Sequence, residues 1–409
     1  MPTLPARRQP ATFAALVLVA LLGACGSLPR NAVPVDLIDQ AVVPGLPDVR
    51  APAGWRSAVM ERDLELSFEQ ESPAEFPRAA DGRVHYSHLA LSGGGANGAF
   101  GAGFLNGWTA TGTRPVFKIV TGVSTGALMA PFAFLGPGYD DALRTFYTTT
   151  RTRDILTVGS FTDIVTQLLF GESIANSAPL AALIERYVDD GLLAAVADAH
   201  RRGRRLYVAT TDLDGQRFMI WNMGLIATSG HPSALAVFRQ AMLASASIPV
   251  AFPPVLFDVE AAGARYDELH VDGGVAANVF YSGGLFSPDT LRRRGGRGGG
   301  RETLFIIHNG QFGPRARATP RSLPGIALRT LESAGKAAFI GDLFRIYSVT
   351  QTEGAAFNWV TIPESADLGR SEIFDPVAMG ALYEAGLRSA RAGPVWRTSP
   401  PGLAEGVAP

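Results

Sequence analysis

A serine framed by glycines, Gly122-Val123-Ser124-Thr125-Gly126, has the spacing that turns a side-chain hydroxyl into a nucleophile. The apolar run 117–120 before it reads as a strand and the apolar run 127–135 after it as a helix. Ser124 therefore falls on a strand-to-helix turn, where flanking glycines remove side chains that would crowd a sharp reversal. The competing reading is a helix N-cap, worth about 1 kcal/mol of helix stability. A second glycine run, Gly93-Gly94-Gly95-Ala96-Asn97-Gly98, lies upstream at another strand-to-helix junction. Its Gly93, Gly95 and Gly98 fit a dinucleotide fingerprint, but that motif needs an acidic residue about twenty positions further on to hold a ribose. Here the second strand ends in Thr121 and enters the serine turn, so no nucleotide cofactor is expected. Consecutive glycines at a positive helix end instead expose the N–H groups of Gly93, Gly94 and Gly95 to a developing oxyanion.

A serine hydroxyl attacks only if a base takes its proton. Two kinds of group compete for that role. His308 ends an apolar run at 304–307 and would complete a Ser-Asp-His order along the chain. Asp272 follows the run 269–271 and precedes Gly273 and Gly274, which puts a carboxylate at a strand end that other backbone can approach. His270 shares the face of Asp272 if the strand continues, or is packed. The six histidines are scattered without metal-ligand spacing, so no metal is expected.

The elements that must hold these groups alternate along the chain. Strands are predicted at 84–91, 117–121, 205–211, 218–221, 255–259, 269–271, 304–308 and 357–362. Helices are predicted at 58–68, 98–110, 125–135, 179–188, 192–200, 232–246, 322–348 and 376–390. Such alternation gives an α/β fold with a mainly parallel central sheet and helices on both faces. Sites in open sheets of this class form at the carboxyl ends of strands, where both glycine motifs fall.

Taken in order, Gly93 to Gly98, Gly122 to Gly126 and Asp272-Gly273-Gly274 resemble the three signature blocks of the patatin-like phospholipase family. Ala209-Thr210-Thr211-Asp212-Leu213 and Ala244-Ser245-Ala246-Ser247-Ile248-Pro249, leading to Phe252-Pro253-Pro254, resemble its supporting blocks, and the match covers 84–308. The resemblance implies a three-layer patatin-like fold and a Ser-Asp dyad without histidine. Ser124 would form the acyl-enzyme, Asp272 would act as base, and Gly93, Gly94 and Gly95 would line the oxyanion hole. Asn97, Gly98, Gly122, Gly126, Gly273 and Gly274 would support them. The implied substrate is an acyl ester of a membrane lipid, cleaved as by a phospholipase A or lysophospholipase. Two positions depart from the family pattern: Asn97 stands where Arg or Lys is usual, and Phe280 where proline is common, while Asn278 fits. The alternative is a weak or inactive relative that binds lipid or acts as an envelope scaffold.

The 409 residues, 47% of them hydrophobic, are enough for a large core. A net charge of -1 argues against general attraction to nucleic acid or to an acidic membrane surface. Arg7 and Arg8, the apolar run 13–22 and Leu22-Gly23-Ala24-Cys25 read as an export signal. Cys25 is the only cysteine, so an internal disulfide is excluded. The segment resembles a lipobox, which implies an acylated Cys25 as membrane anchor; Gly26 and Ser27 after it favour an outer-membrane address. The expected organisation is a signal peptide at 1–24, an acylated end, tether and extension at 25–83, a catalytic core at 84–310, and the C-terminal part of the same domain at 311–409. Within the tether, 27–52 is expected to be extended. The Arg- and Gly-rich stretch 292–301 is expected to be a solvated loop, or a basic arm for phosphate headgroups. Phe132, Phe134, Leu135 and the apolar residues of 155–170 suit a core, with Leu168-Leu169-Phe170 a possible lid or membrane contact.

Overall fold

The computed structural model describes residues 28–158, 173, 175–294, 296, 300–369, 371–393 and 396–403. The expected signal peptide, Cys25, Gly26, Ser27 and Leu168-Leu169-Phe170 lie outside the described residues.

One sheet of nine strands organises the molecule. In chain order these are β1 (Arg50–Pro52), β2 (His85–Leu91), β3 (Phe117–Val123), β4 (Arg205–Asp212), β5 (Arg217–Asn222), β6 (Val255–Ala261), β7 (Ala264–Asp272), β8 (Arg301–His308) and β9 (Ala356–Thr361). The spatial order is β1-β5-β4-β3-β2-β8-β9, and the β6–β7 hairpin joins through β7 to β4. The five neighbours β9-β8-β2-β3-β4 are parallel. β1, β5 and the hairpin add antiparallel pairs.

Every residue of β3 and β4 is buried, as a parallel strand covered on both faces requires. In β4, Leu206 and Val208 join one core while Tyr207 and Ala209 join the other, the period of two that separates the layers. The first face carries α2 (Gly98–Ala110), α3 (Thr125–Leu135), α4 (Asp140–Thr149), α5 (Ala178–Tyr187), α6 (Asp190–Arg201), α7 (Ala234–Ser245) and α9 (Pro376–Arg391). The second carries α1 (Ala58–Glu69) and the C-terminal half of α8 (Leu323–Glu353), through Phe339, Leu343 and Ile346. This is the three-layer α/β architecture expected.

Some boundaries differ. The short strands expected at 255–259 and 269–271 are the ends of a long hairpin, whose Glu260, Arg265, Asp267 and Glu268 dilute the apolar signal. Helix α4 was not expected. Residues 28–52, for which an extended tether is expected, pack onto the body instead. Val33, Val43, Leu46 and Val49 enter the main core, β1 pairs with β5, and Arg30 binds Asp214 and Asp267 at 2.6 and 2.7 Å. These apolar residues follow no regular period, which is why the sequence conceals them.

Buried charges fasten α1. Lys118 donates to the Ser67 carbonyl at 2.9 Å and to Glu71 at 2.7 Å, with its ammonium 4.3 Å from the centre of the Phe68 ring. Asp63 meets Arg205 at 2.7 Å and accepts from Asn222 at 2.7 Å. In the Arg-rich stretch, Arg292 is not solvated: it lies in the last turn of the helix Pro288–Arg294 and pairs with Glu302 at 3.0 Å and with Asp289. Gly295, Arg297, Gly298 and Gly299 lie outside the described residues.

Candidate active site

Strand β3 hands Ser124 to α3 through a turn so tight that Ser124 takes φ 56° and ψ −126°. A non-glycine residue there stores about 1–3 kcal/mol of strain and persists only where its surroundings hold it. Its neighbours show why they are glycines. A Cβ on Gly122 would sit 2.4 Å from the Gly126 carbonyl oxygen, and one on Gly126 would sit 2.3 Å from that of Leu91. The serine is fixed from outside as well: Ser124 N–H donates to Ser245 Oγ at 3.0 Å, and Ser245 Oγ donates to the Ala209 carbonyl at 2.6 Å.

Asp272 ends β7, whose register places it opposite Thr210 of β4. Its N–H donates to the Ser247 carbonyl at 2.9 Å, and its Oδ1 accepts from Gly274 N–H at 2.7 Å. The other oxygen, Oδ2, is buried with no partner of full hydrogen-bond geometry among the described residues. Burial pushes the carboxyl up to about 7, against the favourable effects of the Ser124 side chain and of Gly274 N–H. The fold thus brings together Ser124 and Asp272, which are far apart in sequence. It leaves the Asp272 carboxyl poised near neutrality, where a base both accepts and releases a proton.

The glycine loop contributes differently from expectation. Gly93 N–H is already committed to the Asn278 carbonyl at 3.0 Å, so Gly93 is a structural link rather than a free donor. The N–H groups of Gly94 and Gly95 have no partner among the described residues. Gly94, at φ 155°, lies so close to Asn309 that a Cβ would meet its carbonyl oxygen at 2.2 Å. Asn97 and Gly98 continue the loop into α2, with the Gly98 Cα against Thr125 and Tyr147. Gly273 and Gly274 turn the chain after Asp272 in a short 3-10 turn.

Both candidate histidines are engaged elsewhere. His308 Nδ1 lies 3.1 Å from Ser92 Oγ, and its ring stacks on Phe339 with centroids 3.5 Å apart. Burial lowers it to about 3, so it is neutral. His270 places Nδ1 2.8 Å from Thr210 Oγ1 and Nε2 3.2 Å from Glu268, against Trp221 and Phe257. Burial lowers its pKa too. Each ring braces the scaffold.

Sequence reasoning missed the residues that hold the loop. Asn309 N–H donates to Ser92 Oγ and its side-chain amide to the Ser92 carbonyl, both at 2.9 Å. Asp342, in the middle of α8, accepts from the N–H groups of Asn278 and Val279 at 2.7 and 3.2 Å, and Asn278 in turn holds Gly93. Ser245 and Ser247 lay in a block already singled out; Asp342 carried no signal of its own.

An apolar cavity opens beside Ser124, about 440 Å³ including the space open to solvent at its mouth. Its walls include Gly95, Leu128, Phe146, Ile248, Phe252 and Met379, so the C-terminal part beyond 310 helps build it. Among the described residues no cluster of His, Cys, Asp and Glu is arranged to hold a metal ion.

Residues 89–282 match the family model described as Patatin-like phospholipase. Among solved structures the chain is similar to VipD from Legionella pneumophila, at 13% identity and a TM-score of 0.38, over 78% of this chain and 69% of that one. No curated protein matches.

Proposed function

We propose, from the premise that residues 89–282 form a patatin-like phospholipase domain, that the protein hydrolyses acyl esters of membrane lipids through Ser124 and Asp272. One observation carries this reading: a strained Ser124 beside a buried Asp272 whose carboxyl burial raises to about 7, against the opposing pull of the Ser124 side chain. Ionised Asp272 takes the Ser124 proton as Oγ attacks the ester carbonyl. The N–H groups of Gly94 and Gly95 bear the negative charge of the tetrahedral intermediate, a contribution of about 3 kcal/mol per donor. The proton then passes to the departing alcohol, leaving an acyl-serine whose chain lies along Leu128, Phe146 and Phe252. Asp272 next draws a proton from water, and the second tetrahedral intermediate collapses to free fatty acid and serine.

Acylation of Cys25 would tether this chemistry to a membrane, the outer membrane being the proposed address. Neither histidine takes part, since His308 and His270 are bonded to the scaffold. Purified protein given mixed phospholipids should release fatty acid, resolved by mass spectrometry. Ser124→Ala and Asp272→Asn should each abolish release in folded protein, and a fluorophosphonate should label wild type and not Ser124→Ala. Persistence of hydrolysis in Ser124→Ala would end the proposal.

A further inference from the structure

The parallel strands β8 and β9 are joined by α8, so this helix must run back from their carboxyl ends to their amino ends. Its fully buried residues all lie in the second half: Phe339, Asp342, Leu343, Ile346 and Thr350. Phe339 stacks on His308, the last residue of β8, and so marks the level of the sheet's carboxyl edge. Residues 323–338 therefore continue past that level, over about 24 Å of helix at 1.5 Å per residue. This is the edge that carries the site. Gly335 lies 3.9 Å, measured from where its Cβ would be, from Asn278, which touches Gly93 beside Ser124.

The projecting half is apolar at its tip and basic around it. Leu323 is 80% exposed and Ile326 53%, and Val275, just past Asp272, is exposed on the same edge. Residues 311–338 carry Arg315, Arg317, Arg321, Arg329 and Lys336 against the single acid Glu332, within a chain of net charge -1. Glu332 is shared by Arg317 and Arg329 at 2.8 and 2.9 Å, Lys336 binds the Gly313 carbonyl, and Glu364 accepts from Gly313 N–H. Arg315 and Arg321 are exposed and have no acidic partner among the described residues. No described helix is long and apolar enough to cross a membrane.

We infer that the projecting half of α8 and the preceding 311–322 segment form a docking surface for an anionic phospholipid bilayer. Leu323 and Ile326 enter the boundary between headgroups and acyl chains, while Arg315 and Arg321 meet the phosphates. The charge complementarity selects an anionic surface, and the position selects a function: the docked edge is the one on which Ser124 opens. The inference rests on the lipid-hydrolase reading for its meaning but not for its test.

The test uses the mature chain from residue 26 carrying Ser124→Ala, so that neither the apolar leader, acylation nor turnover affects partitioning. Sedimentation with phosphatidylglycerol–phosphatidylcholine vesicles is compared with pure phosphatidylcholine. Arg315→Gln with Arg321→Gln should weaken partitioning to anionic vesicles by about tenfold or more and leave neutral ones unchanged. Leu323→Glu with Ile326→Glu should weaken both by about tenfold or more. With Ser124 restored, hydrolysis of a soluble short-chain ester should be unchanged in either pair while vesicle hydrolysis falls. Equal vesicle binding by wild type and both pairs overturns the proposal, as does a dimer in solution that Leu323→Glu with Ile326→Glu disperses while vesicle binding persists. Failure of the hydrolase reading appears separately, as short-chain hydrolysis that survives Ser124→Ala.

Discussion

The raised carboxyl of Asp272 ties stability to pH in a direction opposite to that of an ion-paired aspartate. An unfolded aspartate releases its proton near 3.8, whereas in the folded protein burial holds the Asp272 carboxyl up to about 7. Between those values the native state keeps a proton that the unfolded chain has lost. The stabilisation is therefore fully present below the unfolded value and is lost as pH rises through about 7. At about 1.4 kcal/mol per pH unit the difference amounts to about 4 kcal/mol by pH 8, and the pocket beside Ser124 makes this an upper bound by admitting water. Asp272→Asn removes the charge, and its amide oxygen still accepts from Gly274 N–H, 2.7 Å away in the wild type. Urea unfolding of both proteins from pH 4 to pH 8 isolates the effect, because every other titrating group cancels in the difference. The stability of the variant relative to wild type should climb by a few kcal/mol across that range, while its ester hydrolysis is lost throughout. In the wild type, kcat/KM on a short-chain ester should fall about tenfold per pH unit below 7, since only the ionised base is active. A stability difference that stays flat from pH 4 to pH 8 would refute the claim that Asp272 is held up by burial.

The remaining predictions probe the parts around that carboxyl. Ser124→Gly should abolish hydrolysis yet raise thermal stability, by about 1 kcal/mol or more, because glycine relieves the strain at φ 56°. Gly94→Ala should cut kcat about a hundredfold or more and lower stability, since the new methyl collides with the Asn309 carbonyl and displaces the N–H donors; single-turnover kinetics and a melting curve check both. His308→Ala should cost about 1–3 kcal/mol of stability through the lost Ser92 contact and Phe339 stacking. The acid limb near pH 7 should remain in that variant, whereas its disappearance would return the histidine to the role of base.

What could be read from the sequence was what backbone geometry imposes on residue choice. Gly122 and Gly126 are glycines because a carbonyl lies where a Cβ would be, and that requirement shows in the pattern itself. The alternation of apolar runs similarly revealed the layers, since β3 and β4 are buried along their whole length. The choice between Asp272 and His308 was not legible in residue types, because both end strands at the same edge. It becomes a physical question only once His308 is seen against Phe339 and Ser92, neutral and bonded, with Asp272 Oδ2 left open. Gly93 shows the limit from the other side: a run of three glycines looks like three donors, yet the first is taken by Asn278, which Asp342 holds from a helix 64 residues further along the chain. That link also explains why the C-terminal part cannot be an appendage. Asp342 holds Asn278, which ties down the glycine loop, Met379 lines the apolar cavity beside Ser124, and Leu323 is exposed on α8. A chain ending at 310 would thus keep Ser124 and Asp272 and lose both the Asp342 support of the loop and one wall of the cavity.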